Sequence, residues 1–125
     1  MKAKDLMIGD WIKTGHLDYN KVQEIARDEN MQWYISFACS ATLFRAYEFE
    51  PIPLTPEILE KNGWKETEYW HEYEDGNTII QYSLSNIWGI INEIEIEHFK
   101  CEYVHQYQHL LRLCGLNELA DNFKV

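Results

Sequence analysis

The sequence predicts an α+β fold in two parts: a small β-rich lobe over residues 1–53, then an α-β-β-β-α unit over residues 54–125, packed together as one compact unit. Three observations predict it. Residues 54–63 write out one short helix with both ends marked. Short β-forming runs separated by turn residues precede that helix. A hairpin signal and then a 3.6-residue apolar period follow it. The helix marks are specific: Thr55 can accept from the first free amides, Pro56 sits where its missing N–H costs nothing, and Gly63 suits a left-handed stop.

In the first part, strands are expected over residues 11–14, 21–27 and 31–37. Gly9-Asp10 precedes the first, residues 15–20 join it to the second, and Asp28-Glu29-Asn30 has hairpin spacing. Val22, Glu24 and Ala26 alternate with Gln23, Ile25 and Arg27, so the strand is clear while its inward face is not. A further strand is expected over residues 42–47, before the prolines at 51, 53 and 56. Four or five short antiparallel strands in so few residues twist and need their edges protected, which favours a curled sheet or small barrel. The expected form is an SH3-like barrel.

In the second part, strands over residues 68–73 and 77–84 flank Glu74-Asp75-Gly76, a hairpin signal. A third strand is expected over residues 90–97, where Ile94 and Ile96 alternate with Glu93, Glu95 and Glu97 to give one wet face. From about residue 100 to 114 the period becomes helical, with Tyr103, Val104, Tyr107, Leu110, Leu111 and Cys114 on one face and Gly115 as the stop. Asn117 is the expected cap of a last short helix ending near Phe123.

A formal charge of −10, from 21 acidic and 11 basic residues, disfavours nucleic acid and anionic membranes, whose attraction runs through Lys and Arg. Solubility is the plainest use of that acidity. Five Trp, eight Tyr and five Phe can fill a small core without disulfides. Cys39, Cys101 and Cys114 form no CxxC pair, which fits a reducing, cytoplasmic setting. No signal-peptide core follows Met1, and no apolar run approaches the ~20 residues of a membrane span.

Chemistry has few candidates. On a helix beginning near His98, the residues His98, Cys101, His105 and His109 share one stripe, and imidazole and thiolate suit zinc. The stripe spans about 16 Å of rise, so at most a neighbouring pair could share an ion. It also faces away from the apolar side, which makes a solvated His face the simpler reading. Cys101 and His105 lie one turn apart, as a thiol and its base could, but no orienting third group or oxyanion site accompanies them. Cys39 and Cys114 read as small core residues. Glu93, Glu95 and Glu97 are explained by strand alternation, although a row of like charges would welcome a basic partner surface. The aromatic group Trp64, Tyr69, Trp70 and Tyr73, with His71 and Tyr82 nearby, is the candidate recognition surface, with about half of it needed for the core. The isolated glycines form no phosphate-cradling loop, and no cofactor is expected.

Three blocks resemble a known family. Lys4-Asp5-Leu6-Met7-Ile8-Gly9-Asp10-Trp11, the run from Pro51 to Trp64, and Tyr103-Val104-His105-Gln106-Tyr107-Gln108-His109-Leu110 are similar, in order, to small proteins of gut Bacteroides-type bacteria and their phages or mobile elements. The resemblance implies no activity, since none is established for the family. Missing catalytic constellations, acidity and aromatic excess together point to a non-enzymatic module with a protein partner. The rivals are a small metal-dependent or Cys/His enzyme and an acidic mimic of nucleic acid that binds a basic host protein.

Overall fold

Alternating strands and tight turns organise the described residues into two antiparallel sheets and three helices, the α+β class expected. The computed structural model describes residues 5–14, 18–27, 33–37, 40–45 and 50–125. It divides into two compact units, Met1–Ile52 and Pro53–Val125.

The first unit contains β1 (Trp11–Thr14), β2 (Asp18–Arg27), β3 (Trp33–Phe37), β4 (Ser40–Arg45) and β5 (Glu50–Pro51), in the sheet order β4-β3-β2-β1-β5. Ten-residue β2 does double duty: residues 18–21 pair with β1 and residues 22–27 with β3. Its register shifts between Val22 and Glu24, which is why the sequence alternation there gives no single inward face. Two-residue β5 went unforeseen because Pro51 reads as a breaker. On a sheet edge, opposite Ile12, its missing N–H costs no ladder bond. No pairing joins β4 to β5 among the described residues, so this ladder is open. Among the described residues of this unit, Leu6, Ile12, Val22 and Ile52 are apolar and buried. Gly9, at φ 94°, lets residues 7–10 turn tightly, so that its N–H donates to Val22 O at 2.7 Å. Fully buried Asp10 braces this turn by accepting from the Met7 N–H at 2.8 Å. The expected turns at residues 15–17 and 28–30, the Cys39 side chain and residues 46–47 of the expected fourth strand lie outside the described residues.

The second unit opens with α1 (Pro56–Lys61), whose marks work as read. Thr55 Oγ1 accepts from Ile58 N–H at 3.3 Å, Pro56 starts the helix and Gly63 follows it at φ 88°. Asn62, the C-cap, clasps backbone far along the chain: its amide donates to Lys124 O and accepts from Lys124 N–H, both at 2.8 Å.

Five strands follow where three were expected: β6 (Lys65–Glu66), β7 (His71–Asp75), β8 (Thr78–Ser83), β9 (Asn86–Ile91) and β10 (Ile94–Lys100), in the meander order β10-β9-β8-β7-β6. The sequence reading merged β9 with β10 because their turn carries no glycine. Leu84-Ser85 and Asn92-Glu93 are two-residue turns with φ of 48° and 64°, and of 49° and 70°. Two consecutive positive φ values are the type I′ geometry that matches strand twist, usually supplied by Asn-Gly. At the β7–β8 turn the expected glycine, Gly76, is present at φ 56°. Gly89 pairs with Ile80 at a close approach of backbones, where a Cβ would stand 2.2 Å from Ile79 O, so no other residue fits.

Helix α2 spans Val104–Leu113, not residues 100–114, because β10 runs on to Lys100 and Gln106 sets the helix start. Gln106 Oε1 accepts from the Glu102 and Tyr103 N–H groups at 2.8 and 3.1 Å. The α2 face Val104, Tyr107, Leu110 and Leu111 is buried, and Tyr107 meets Trp64 and Phe123 edge-on at 5.9 and 5.4 Å. The last helix, α3 (Asn117–Asp121), is capped by Leu116, with Asn117 already its first residue. Fully buried Gln108 ties α2 to α3 by donating to Ala120 O at 3.0 Å.

Leu84 and Ser85 occupy positions that cost non-glycine residues of order 1–3 kcal/mol each. Replacing them together with Asn-Gly should stabilise the chain by about 1 kcal/mol, read as a raised urea midpoint at unchanged slope. An unchanged or lowered midpoint would show that the turn carries no strain.

Candidate functional site

The register of the second sheet sorts its side chains into two faces. Thr78, Ile80 and Tyr82 of β8, with Ile87 and Ile91 of β9, are buried on one. The other is built in cross-strand rows. Glu74, Ile79, Ile90 and Glu95 stand opposite one another in turn across β7, β8, β9 and β10. The next row runs Lys65, Glu72, Gln81 and Trp88 across β6 to β9, with Gln81 Nε2 donating to Glu72 Oε1 at 3.2 Å. Two central apolar strands are thus fenced by carboxylates on both sides.

Ile79 is 41% exposed and Ile90 43%, a pair of branched side chains left in water at the middle of a sheet. Trp88 continues the patch and meets Trp70 edge-on at 6.2 Å, while Tyr69 stands 6.2 Å from Trp70 and is largely exposed. Trp70 is placed by a tight turn in which Thr67 N–H donates to Trp70 O at 2.8 Å and Thr67 Oγ1 accepts from Trp70 N–H at 3.2 Å. Its indole Nε1 is buried and unpaired among the described residues. Tyr69, Trp70 and the exposed turn residue Leu84 also line a cleft of about 240 Å³ with Glu66 and His71.

The four expected aromatics therefore divide. Tyr69 and Trp70 belong to the surface, whereas Trp64 is 3% exposed and packs on Tyr73 at 5.8 Å and on Tyr107. Half-buried Tyr73 lies opposite Ile80, on the inner face. Trp88, Ile79 and Ile90 escaped the sequence reading. Recognising Leu84-Ser85 as a turn would have exposed them, since alternation from Asn86 puts Trp88 and Ile90 opposite Ile87 and Ile91.

The His/Cys stripe is not one helical face. His98 is exposed on β10, Cys101 lies in the connection to α2, and of the four only His105 and His109 are helical. Cys101 and His105 are buried, not solvated; the Cys101 N–H donates to Ser85 O at 2.7 Å. The His105 ring stacks on Tyr103 at 5.9 Å and meets His109 edge-on at 5.5 Å. Burial pushes the Cys101 thiol up to about 12, the opposite of what a thiolate nucleophile needs. Cys114 is buried, as expected of a core residue. Glu93 is a turn residue, so only Glu95 and Glu97 of the acidic trio lie on β10.

No protein-family model, curated protein or solved structure matches this chain. Among the described residues, no helix is long and apolar enough to cross a membrane.

The thiol shift has a pH consequence. Folding favours the protonated Cys101, so its contribution is complete below the ordinary thiol value of 9.0 and is lost as pH rises toward about 12. The buried Tyr107 phenol, also raised by burial, adds to the same alkaline loss. The urea-unfolding free energy of the native chain should fall more steeply above pH 9 than that of Cys101→Ala. Parallel pH profiles would show that the thiol ionises freely in the fold.

Proposed function

We propose that this chain is a non-enzymatic protein-interaction module. Its binding face is the outer side of the second sheet, and its partner is a protein presenting an apolar patch rimmed by Lys and Arg. The observation that carries the reading is the acid-fenced apolar row of Glu74, Ile79, Ile90 and Glu95, continued by Trp88, Trp70 and Tyr69. Aromatic anchors in the middle of a patch are where binding energy concentrates, and a complementary charged rim steers association and sets orientation.

The charge balance supports that choice of partner, because residues 53–125 hold thirteen acidic against five basic side chains. Burial of Cys101 counts against thiol catalysis. We read the first unit as an SH3-like curled sheet; the order β4-β3-β2-β1-β5 and a long β2 divided at its register shift support this. On the resemblance of the three sequence blocks, the module serves a phage or mobile element of a Bacteroides-type bacterium, in the cytoplasm.

The test is capture from such a host by the tagged native chain, by Ile90→Glu and by Trp88→Ala, with circular dichroism to show that the variants fold. A basic protein should be retained by the native chain, released at moderate salt, and held at least about 30-fold more weakly by Trp88→Ala. Equal retention by all three proteins would sink the assignment of this face.

A further inference from the structure

At the β6 edge of the same sheet, three potential metal ligands arrive from three separate elements. Among the described residues, Glu60, Glu66 and His71 form a group whose ligand atoms all lie within 4.8 Å of one another. Glu60 sits in the last turn of α1, Glu66 closes β6, and His71 opens β7 directly opposite Glu66 in the ladder. His71 Nε2 is 3.2 Å from Glu60 Oε1.

That contact is a hydrogen-bonded pair, and its length also suits two ligands of one ion. With bonds of ~2.0–2.1 Å, two ligands of a tetrahedral zinc ion stand about 3.3 Å apart. His71 and Glu60 already hold that spacing, and Glu66, exposed with free torsions, needs only a side-chain adjustment to complete a set of three. The backbone carrying them is fixed by the Thr55 cap on α1 and by the Thr67–Trp70 turn between β6 and β7. The charges ask for a cation as well. Among the described residues no Lys or Arg pairs with Glu60 or Glu66, and one imidazole supplies at most a single positive charge against two carboxylates.

We propose that Glu60, Glu66 and His71 bind one zinc-class divalent cation. Imidazole nitrogen with two carboxylate oxygens suits zinc, whereas magnesium prefers an all-oxygen octahedron rich in water. Three protein ligands leave a fourth position, beside the cleft that Glu66 and His71 line with Tyr69 and Trp70. The ion would staple α1 to the β6–β7 end of the sheet. None of the interaction-face residues Ile79, Ile90, Trp88, Trp70 and Tyr69 supplies a ligand, although Tyr69 and Trp70 border both places.

Calorimetric titration of chelator-stripped full-length protein with zinc chloride tests it, with magnesium chloride as the control. One zinc per chain is expected, with no magnesium uptake at the same concentration, and cobalt in its place should give tetrahedral visible absorption. Glu66→Gln and His71→Gln should each weaken zinc by roughly 100-fold or more, since even loss of an outer partner costs ~10–100-fold. His98→Ala, remote on exposed β10, should bind like the native chain. Glu66→Gln alters one exposed side chain, so its result stands even if His71→Gln fails to fold. Absence of zinc binding, binding that survives Glu66→Gln, or binding lost with His98→Ala would each overturn the proposal.

Discussion

Everything that singles out the second unit depends on the register of its five-stranded sheet. A slip of one residue exchanges the two faces of a strand. In β9 it would bring Trp88 and Ile90 into the core and put Ile87 and Ile91 into water. Three two-residue turns hold the register, because none has slack to absorb a slip. Gly89 holds it a second way, since only at that pairing does a residue without Cβ meet the close Ile79 carbonyl. The same constraint puts Glu66 opposite His71, so the aromatic face and the mixed carboxylate–imidazole group are products of one alignment.

Polar side chains hold the helices of this unit by specific bonds rather than by apolar area alone. Asn92 stands in the β9–β10 turn and donates its amide to Cys114 O at 2.7 Å, while its N–H donates to Thr78 Oγ1. One residue thereby joins two hairpins to the end of α2. Asn62 and Gln108 act likewise at the ends of α1 and α3. An amide-to-backbone hydrogen bond is worth about 1 kcal/mol, and where it is buried, as at Gln108, leaving its partners unmade costs more, so that residue fixes position more than it adds stability.

Local chemistry was legible in the sequence, the β7–β8 hairpin included, whereas pairings and turns without a glycine or cap signal were not. Thr55, Pro56 and Gly63 declared α1 because each acts on backbone within a few residues. Strand β5 and the β8–β9 and β9–β10 turns were hidden because Pro51, Leu84-Ser85 and Asn92-Glu93 take places that tertiary context imposes against their usual preference. Tyr69 and Trp70 could be named as surface aromatics from their neighbourhood. Trp64 could not be told from them, since its burial is set by Tyr107 and Tyr73 arriving from distant segments. The grouping of Glu60, Glu66 and His71 has no spacing signature at all, for α1 reaches β7 only once the chain has folded.

The edge strand β10 loses its register between Ile96 and Phe99, with Glu95 just before that break and Glu97 within it. An exposed strand with free backbone donors is a template on which identical molecules can stack into fibrils. An interrupted, negatively charged strand makes a poor one, because a second copy meets an offset hydrogen-bond row and its own charge. That edge therefore gives the exposed apolar face beside it a poor template for recruiting a second copy into a growing sheet.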